Sequence, residues 1–164
     1  MYTLHRVFCA TPWEFELERR AFHDIVGEFN ESEAMKHGLL YVPGSLANLR
    51  DKRPYEFVVD ENVQACRHYI LVMGTDWGPP ERNFQRDYER ALHYLDDPAK
   101  AMRDVVCLAS TTPDWERQEG MPVPSGTFSN IEEFKRHVRH LLSAWTAAFL
   151  KERGLPAAAN AASG

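Results

Sequence analysis

The sequence predicts a three-layer α/β/α sandwich built on one mostly parallel β-sheet of about five strands. The first observation is that segments with strand character alternate with segments of helical spacing along the chain. The second is the stretch 68–91, where an apolar run stops at a glycine-bearing turn and an amphipathic helix follows. We expect the strand order 2-1-3-4-5, which places the first and third strands side by side.

The first strand is predicted over 6–10, and three helix-start signals follow it directly. Thr11 is a capping residue, Pro12 suits the first helical position, and Glu14 completes a capping box. We expect the helix to end near Asn30. Its apolar stripe consists of Phe15, Phe22, Ile25, Val26 and Phe29. A strand, a cap and an amphipathic helix in this order are typical of a parallel sheet.

The segment between the first helix and the central strand is less regular. A second strand is predicted over 38–42, and the polar stretch 45–56 indicates a long loop. The apolar residues 57–59 predict an edge strand. Asp60 is then expected to cap a short helix over 61–67 that leads into the central strand.

The central strand begins at His68 and ends at residues 74–78 (Gly-Thr-Asp-Trp-Gly), which we name the glycine turn. A helix is predicted over 82–95, because apolar side chains recur there at helical spacing. They are Phe84, Tyr88, Ala91, Leu92 and Leu95. Ligands of such folds bind beyond the carboxyl ends of the strands, so the glycine turn borders any binding site.

Two more strands are predicted in the second half of the chain, over 104–109 and 126–128. A brief helical piece is expected over 99–102, and the proline-rich segment 110–126 indicates a loop. The sequence Ser-Asn-Ile-Glu at 129–132 is a capping box that opens a long helix ending near residue 153. Its apolar stripe consists of Ile131, Phe134, Val138, Leu141, Leu142, Trp145 and Phe149.

Composition limits the classes of function. The chain has 164 residues, a formal net charge of −5 and a pI near 5.8. This acidity argues against binding to nucleic acid, despite a small basic cluster at 50–53. The sequence has no apolar run of the roughly 20 residues that a membrane span needs, so we expect no membrane contact. One domain is expected over 1–153, followed by a low-complexity tail over 154–164.

The cysteines lie in apolar segments without C-x-x-C spacing, which predicts buried free thiols and a cytoplasmic location. They are Cys9, Cys66 and Cys107. The first residues lead into a strand rather than into a secretory signal. His137, His140 and Glu133 occupy neighbouring positions on the last helix, where a solvated face is the expected arrangement and a metal site is the alternative.

Residues 9–19 (Cys-Ala-Thr-Pro-Trp-Glu-Phe-Glu-Leu-Glu-Arg) resemble the S-S-T-x-x-D-L-x-x-E-R opening of a bacterial domain family of unknown function. That family is found at the N-terminus of signalling ATPases and is related to TIR domains and nucleoside 2-deoxyribosyltransferases. Later segments agree in order, because 87–91 resembles E-Y-x-x-A and 128–138 resembles F-x-x-x-E-E-F-x-x-x-V. The resemblance covers roughly residues 5–142 and implies a TIR-like, flavodoxin-like sheet.

The resemblance also implies chemistry at the N-glycosidic bond of NAD or a nucleoside. In the enzymatic relatives a glutamate on the helix after the third strand acts on the ribose, and the matching position here is Asp87. An aspartate is shorter by one methylene, and the serines of the family are replaced by Cys9 and Ala10. Asp87 would stabilise the developing ribosyl cation. The alternative is an ion pair with Arg90 or a hydrogen bond to Asn83.

The glycine turn supplies further candidate ligand-binding residues. Residues 74–78, with Thr75 among them, are predicted to form the floor of the pocket. Gly74 and Gly78 allow close approach of the backbone, and Asp76 would accept a hydrogen bond from a ribose hydroxyl. Trp77 offers a stacking surface for a base. The alternative is an ordinary tight turn with Trp77 packed on the core.

The start of the first helix is the other candidate binding element. Thr11 and the helix N-terminus at residues 12–14 predict a phosphate site, whereas the alternative is that Thr11 only caps the helix. Trp13 either lines the same crevice or covers the helix.

Two functional hypotheses follow. The first is an enzyme that cleaves or transfers at the N-glycosidic bond of NAD or a nucleotide, which enters as substrate, with no cofactor expected. The second is a non-catalytic signalling or protein-interaction module that binds a nucleotide or partner, or associates with itself, without turnover.

Overall fold

The computed structural model describes residues 1–45, 55–111 and 117–155. The strands in these ranges are β1 (Thr3–Ala10), β2 (Leu39–Gly44), β3 (His68–Met73), β4 (Asp104–Ser110) and β5 (Gly126–Phe128). The helices are α1 (Glu16–Ser32), α2 (Tyr55–Gln64), α3 (Phe84–Asp96) and α4 (Ile131–Glu152). The five strands form one all-parallel sheet in the order β2-β1-β3-β4-β5. This order confirms the predicted topology.

Helices cover both faces of the sheet. On β1, Val7 and Cys9 pack with residues of α1 and α4, whereas Phe8 and Ala10 pack with residues of α2 and α3. Side chains alternate in this way because successive Cβ atoms of a strand point to opposite faces. Every residue of β3 is buried, since this central strand is covered on both sides. The predicted three-layer sandwich is therefore confirmed.

The predicted apolar stripes of the first and last helices are also confirmed. The five stripe residues at the first helix are buried, and those of α4 are buried or packed against the same core cluster. The three cysteines are buried and free, as predicted. Burial raises the pKa of the Cys66 thiol to about 12 and that of Cys107 to about 11, which leaves both thiols protonated at neutral pH.

The predicted edge strand over 57–59 is wrong, because these residues lie inside α2. A short apolar run fits a strand and a helix equally well by periodicity alone. The predicted cap at Asp60 is wrong for the same reason. Its carboxylate instead accepts a hydrogen bond from the Tyr94 hydroxyl at 2.5 Å and pairs with Arg90 at 3.2 Å, which ties α2 to α3. Most of the predicted loop 45–56 lies outside the described residues.

The predicted helix starts need two corrections. Thr11 does not cap, because a 3-10 turn over Trp13–Phe15 comes first and α1 begins at Glu16. The last helix is capped one residue later than predicted. Asn130 Oδ1 accepts from the backbone of Glu133 at 2.9 Å, and the Glu133 carboxylate accepts from the backbone of Ser129 at 2.7 Å.

The remaining differences lie in connecting segments. Residues 99–102 form no helix. Lys100 N donates to Asp97 O at 3.0 Å and closes a single turn, which is too short to propagate. Of the predicted loop 110–126, residues 112–116 lie outside the described residues, as do tail residues 156–164. Among the helices described, none is long and apolar enough to span a membrane.

Candidate functional site

A crevice opens at the carboxyl ends of β1 and β3. The chain leaves β1 towards one face of the sheet and leaves β3 towards the other, so the connections diverge and leave a hollow between them. The cavity in this crevice has a volume of about 700 Å³, and we name it the larger cavity because a smaller one adjoins it. Its wall comes from the turn after β1, the glycine turn and the segment after β4. The residues are Trp13, Glu14, Phe15, Gly74, Thr75, Asp76, Gly78, Pro79, Ser110 and Arg117.

The first wall of the larger cavity is aromatic. Trp13 is 83 % exposed, and its neighbour Phe15 is buried at the base of the crevice. The two differ because the 3-10 turn closes with a hydrogen bond from Phe15 N to Pro12 O at 2.9 Å, which directs successive side chains to different sides. The turn therefore presents an indole ring to solvent at the cavity wall.

The glycine turn forms the second wall and is held by its own hydrogen bonds. Asp76 Oδ1 accepts from the backbone of Gly78 at 2.8 Å, an arrangement typical of an Asx turn. Gly78 has φ +87°, and a Cβ there would lie 2.8 Å from the Arg82 carbonyl oxygen, so a glycine is required. A Cβ at Gly74 would lie 3.0 Å from Glu14 Oε1, which brings that carboxylate against the turn.

Trp77 does not stack in the crevice. Its side chain is 7 % exposed, belongs to the core cluster on the α3 side and lies 5.9 Å from the Tyr88 ring. It lines neither this cavity nor the smaller one described below. The structure therefore agrees with the alternative interpretation of the glycine turn, in which Trp77 packs on the core. The exposed aromatic surface comes from Trp13.

Asp87 is buried and paired. Its carboxylate accepts a hydrogen bond from Nη1 of Arg82, whose guanidinium lies 4.0 Å above the centre of the Phe84 ring. Burial raises the pKa of the Asp87 carboxyl above its ordinary value, although the charge of Arg82 acts in the opposite direction. Asp87 lines neither cavity. The carboxylate therefore lies one layer behind the crevice wall.

The partner of Asp87 differs from both alternatives considered from the sequence. Arg90 pairs with Asp60 at 3.2 Å. Asn83 caps α3, and its Oδ1 accepts from the backbone of Gln85 at 2.9 Å. Periodicity within one helix could not identify Arg82, because that residue lies on a separate 3-10 turn (Pro80–Arg82) before α3.

A smaller cavity of about 280 Å³ adjoins the first and shares Trp13, Glu14, Gly78 and Pro79 with it. The other residues around it are Thr11, Pro12, Glu16, Arg19, Ser45, Arg82 and Phe84. Thr11 Oγ1 is buried and has no hydrogen-bond partner in the described part of the chain. Arg19 is bound to Glu16 by two hydrogen bonds, of 2.8 and 2.5 Å. The predicted phosphate site at residues 11–14 thus lies beside a cavity, but Thr11 is not a helix cap.

Arg117 and Gln118 belong to the site and were missed by the sequence argument. Gln118 N donates to Thr75 O at 2.7 Å, and its Oε1 accepts from Trp77 N at 3.4 Å. These contacts hold the segment after β4 against the glycine turn and place Arg117 at the cavity, with Nη2 3.4 Å from Ser110 O. One feature of the sequence could have identified this segment as part of the site, namely its position directly after the carboxyl end of a strand.

The described residues contain no group of three or more His, Cys, Asp or Glu side chains that could hold a metal ion. His137 Nε2 instead donates to the backbone oxygen of Thr127 at 2.8 Å. No protein-family model and no curated protein matches the chain. The TIR-like resemblance therefore stays a prediction.

Proposed function

We propose that this chain binds a nucleotide in the crevice between the turn after β1 and the glycine turn, and that Asp87 does not turn it over. One observation carries the proposal. An exposed indole, Trp13, and two carboxylates, Glu14 and Asp76, line one cavity at the carboxyl ends of β1 and β3. Its volume of about 700 Å³ falls within the roughly 300–1,000 Å³ typical of small-molecule sites.

The base and the ribose of a nucleotide have complementary groups in this cavity. The Trp13 ring supplies a flat surface for a base. The carboxylates of Glu14 and Asp76 can accept hydrogen bonds from ribose hydroxyls, and Arg117 adds a positive charge to the lining of the same cavity. Phe15 supplies an apolar base to the crevice.

The position of Asp87 favours binding over catalysis by that residue. A group that stabilises a ribosyl cation must be within contact distance of the reacting carbon. Asp87 is instead engaged by Arg82 and stands behind it. The binding hypothesis therefore needs fewer rearrangements than the enzymatic one that the family resemblance implies.

Cleavage at the N-glycosidic bond is the second candidate, and a specific observation favours it. Glu14 and Asp76 both line the larger cavity, and either carboxylate would stabilise the positive charge that develops on a ribose when the bond to the base breaks. In this second candidate function, Glu14 or Asp76 stabilises the developing charge in place of Asp87.

Calorimetric titration with NAD, adenosine and adenosine 5′-monophosphate tests the binding proposal. We expect at least one of them to bind, and we expect Trp13→Ala to weaken that binding by about tenfold, while Trp13→Phe retains most of it because a flat ring remains. Absence of binding at millimolar concentration, or full affinity in Trp13→Ala, would contradict the proposal.

A second assay separates the two candidates. The protein is incubated with NAD and with deoxynucleosides, and free nicotinamide or base is measured by chromatography. The binding proposal predicts no product. Product formation that is lost in Glu14→Gln and kept in Asp87→Asn would instead support cleavage through the cavity carboxylates.

A further inference from the structure

The smaller cavity is lined by positively charged and hydroxyl side chains from both walls of the crevice. Arg19 and Thr11 come from the β1 side, and Arg82 comes from the turn before α3. Because this cavity shares four lining residues with the larger one, a ligand seated against Trp13 can extend a substituent into it. The carboxylates of Glu14 and Glu16 also line it, so its charges are mixed.

Arg82 is held in place on two sides. Its guanidinium stacks on the Phe84 ring at 4.0 Å, and Nη1 donates to the buried carboxylate of Asp87. The side chain keeps 20 % of its surface exposed and lines the smaller cavity. A guanidinium presents its donors in a rigid planar fork that suits phosphate. The two contacts therefore orient the group at the cavity wall.

The ion pair between Arg82 and Asp87 contributes more to positioning the guanidinium than to stabilising the fold. Taking both charges out of water offsets much of the attraction between them, so a buried ion pair contributes little over well-packed apolar side chains. The Arg82 charge nevertheless stands at the cavity wall, with its counter-ion on the core side. The ion pair thus ties the Arg82 guanidinium to the α3 side of the smaller cavity.

Thr11 is an independent observation at the same place. A buried hydroxyl without a partner costs about 1–3 kcal/mol, and Thr11 Oγ1 is such a group among the described residues and lines the smaller cavity. A phosphate oxygen accepts hydrogen bonds and would satisfy both the hydroxyl and a guanidinium.

From these contacts we infer that the smaller cavity is the phosphate subsite of the nucleotide site, with Arg82 as the residue that recognises the anion and Asp87 as its positioning residue. The inference rests on the proposed function and narrows it. The ligand is a nucleoside phosphate rather than a free nucleoside, and its base lies against Trp13 while its phosphate lies between Arg82 and Thr11.

The test compares adenosine with adenosine 5′-monophosphate by calorimetry, in the native protein and in variants. We expect the monophosphate to bind about tenfold more tightly than adenosine. Arg82→Gln should abolish this preference, so that the monophosphate binds no more tightly than adenosine. Thr11→Val should reduce the preference by a few-fold in the same way. Arg139→Gln is the matched control, because Arg139 is a half-exposed arginine of α4 that pairs with Glu28 and lines neither cavity.

Asp87→Asn tests the positioning role. It keeps the shape and a hydrogen-bond acceptor but removes the counter-ion, so we expect the phosphate preference to fall while adenosine binding stays. A purely structural role would weaken both ligands together. Circular dichroism of each variant verifies the fold, and Arg82→Lys, which keeps the charge, should retain part of the preference.

The outcomes separate the two proposals. If adenosine and the monophosphate bind equally and Arg82→Gln changes nothing, the phosphate subsite is wrong and the nucleotide site stands. If Arg117→Gln, rather than Arg82→Gln, removes the preference, the phosphate lies in the larger cavity and the inference is also wrong. If neither of these ligands nor NAD binds, both proposals fail.

Discussion

The carboxylate of Asp87 lies beneath the guanidinium of Arg82, and the two form an ion pair that joins α3 to the 3-10 turn before it. Asp87 is 7 % exposed, whereas Arg82 reaches the smaller cavity. The pair therefore connects the core beside β3 to the wall of the crevice. It also decides which carboxylates are available to a ligand, because it keeps Asp87 behind that wall.

Asp87→Ala should destabilise the protein, because it removes the carboxylate that pairs with the partly buried Arg82. Loss of one partner of a buried pair costs about 3–5 kcal/mol, and the exposure of Arg82 lowers our expectation to about 2–3 kcal/mol. Urea denaturation measures the change in the free energy of unfolding. The double variant Arg82→Met with Asp87→Leu is the control and should lose less than Asp87→Ala. Equal losses in both would contradict this account.

The two tryptophans in the turns should respond in opposite ways. Trp77→Ala removes a side chain that is 7 % exposed and should cost about 3–5 kcal/mol of stability. Trp13→Ala removes a ring that is 83 % exposed and should leave the stability within about 0.5 kcal/mol, because little apolar area returns to water. Thermal unfolding of both variants measures this difference. Similar losses at the two positions would show that Trp13 is packed in solution.

The protein should lose stability as the pH falls from about 6.5 to 4. His5 and His68 are 4 % and 3 % exposed, and burial lowers the pKa of His5 to about 4 and that of His68 to about 3. The neighbouring charge of Arg67 acts in the same direction on both rings. In the unfolded chain both histidines take up protons near pH 6.5. The unfolded state therefore binds more protons below that pH, and acid favours it.

The size of this acid effect follows from linkage. Each histidine contributes a slope of up to about 1.4 kcal/mol per pH unit between the two pKa values. His68→Phe removes one titrating group and keeps a ring that can stack on Trp145, which lies 4.1 Å from His68 between ring centres. Its free energy of unfolding should depend less steeply on pH between 6.5 and 4. Parallel curves for the variant and the native protein would contradict the assignment.

Gly78→Ala should destabilise the glycine turn more than Gly120→Ala destabilises its loop. Both glycines have nearly equal φ angles, +87° and +86°, so both substitutions carry similar backbone strain of about 1 kcal/mol or more. At Gly78 the new Cβ would meet a backbone atom, the Arg82 carbonyl oxygen at 2.8 Å, whereas no atom of the described residues lies within 4 Å of a Cβ at Gly120. The difference in melting temperature isolates this contact. An equal loss of melting temperature in both variants would show that the positive φ angle alone causes the destabilisation.

The long elements could be predicted because their patterns are redundant. Six buried residues in β3 and a stripe of apolar residues over several turns of α1 and α4 each repeat one signal many times. The short elements lack this redundancy. Residues 57–59 fit a strand as well as a helix by pattern alone. In α2, Val59 packs with residues of β3 and α3, and Asp60 accepts a hydrogen bond from Tyr94. The start of α1 depended on a 3-10 turn that a capping pattern does not distinguish.

By itself the sequence determined the alternation of strands and helices, and with it the three layers, since these follow from patterns that are local along the chain. The strand order, and the edge of the sheet where the crevice opens, followed from the order common to such alternating folds. Only the tertiary structure decided which side chains meet in that crevice. Trp13 and Trp77 both stand in turns, yet one faces solvent and the other the core. The Asp87 carboxylate pairs with Arg82, whereas the spacing of residues within α3 had predicted a pair with Arg90, which instead pairs with Asp60. The physical reason is that contacts between separate elements depend on the direction in which each turn points its side chains. The periodicity of apolar residues within one element does not predict that direction.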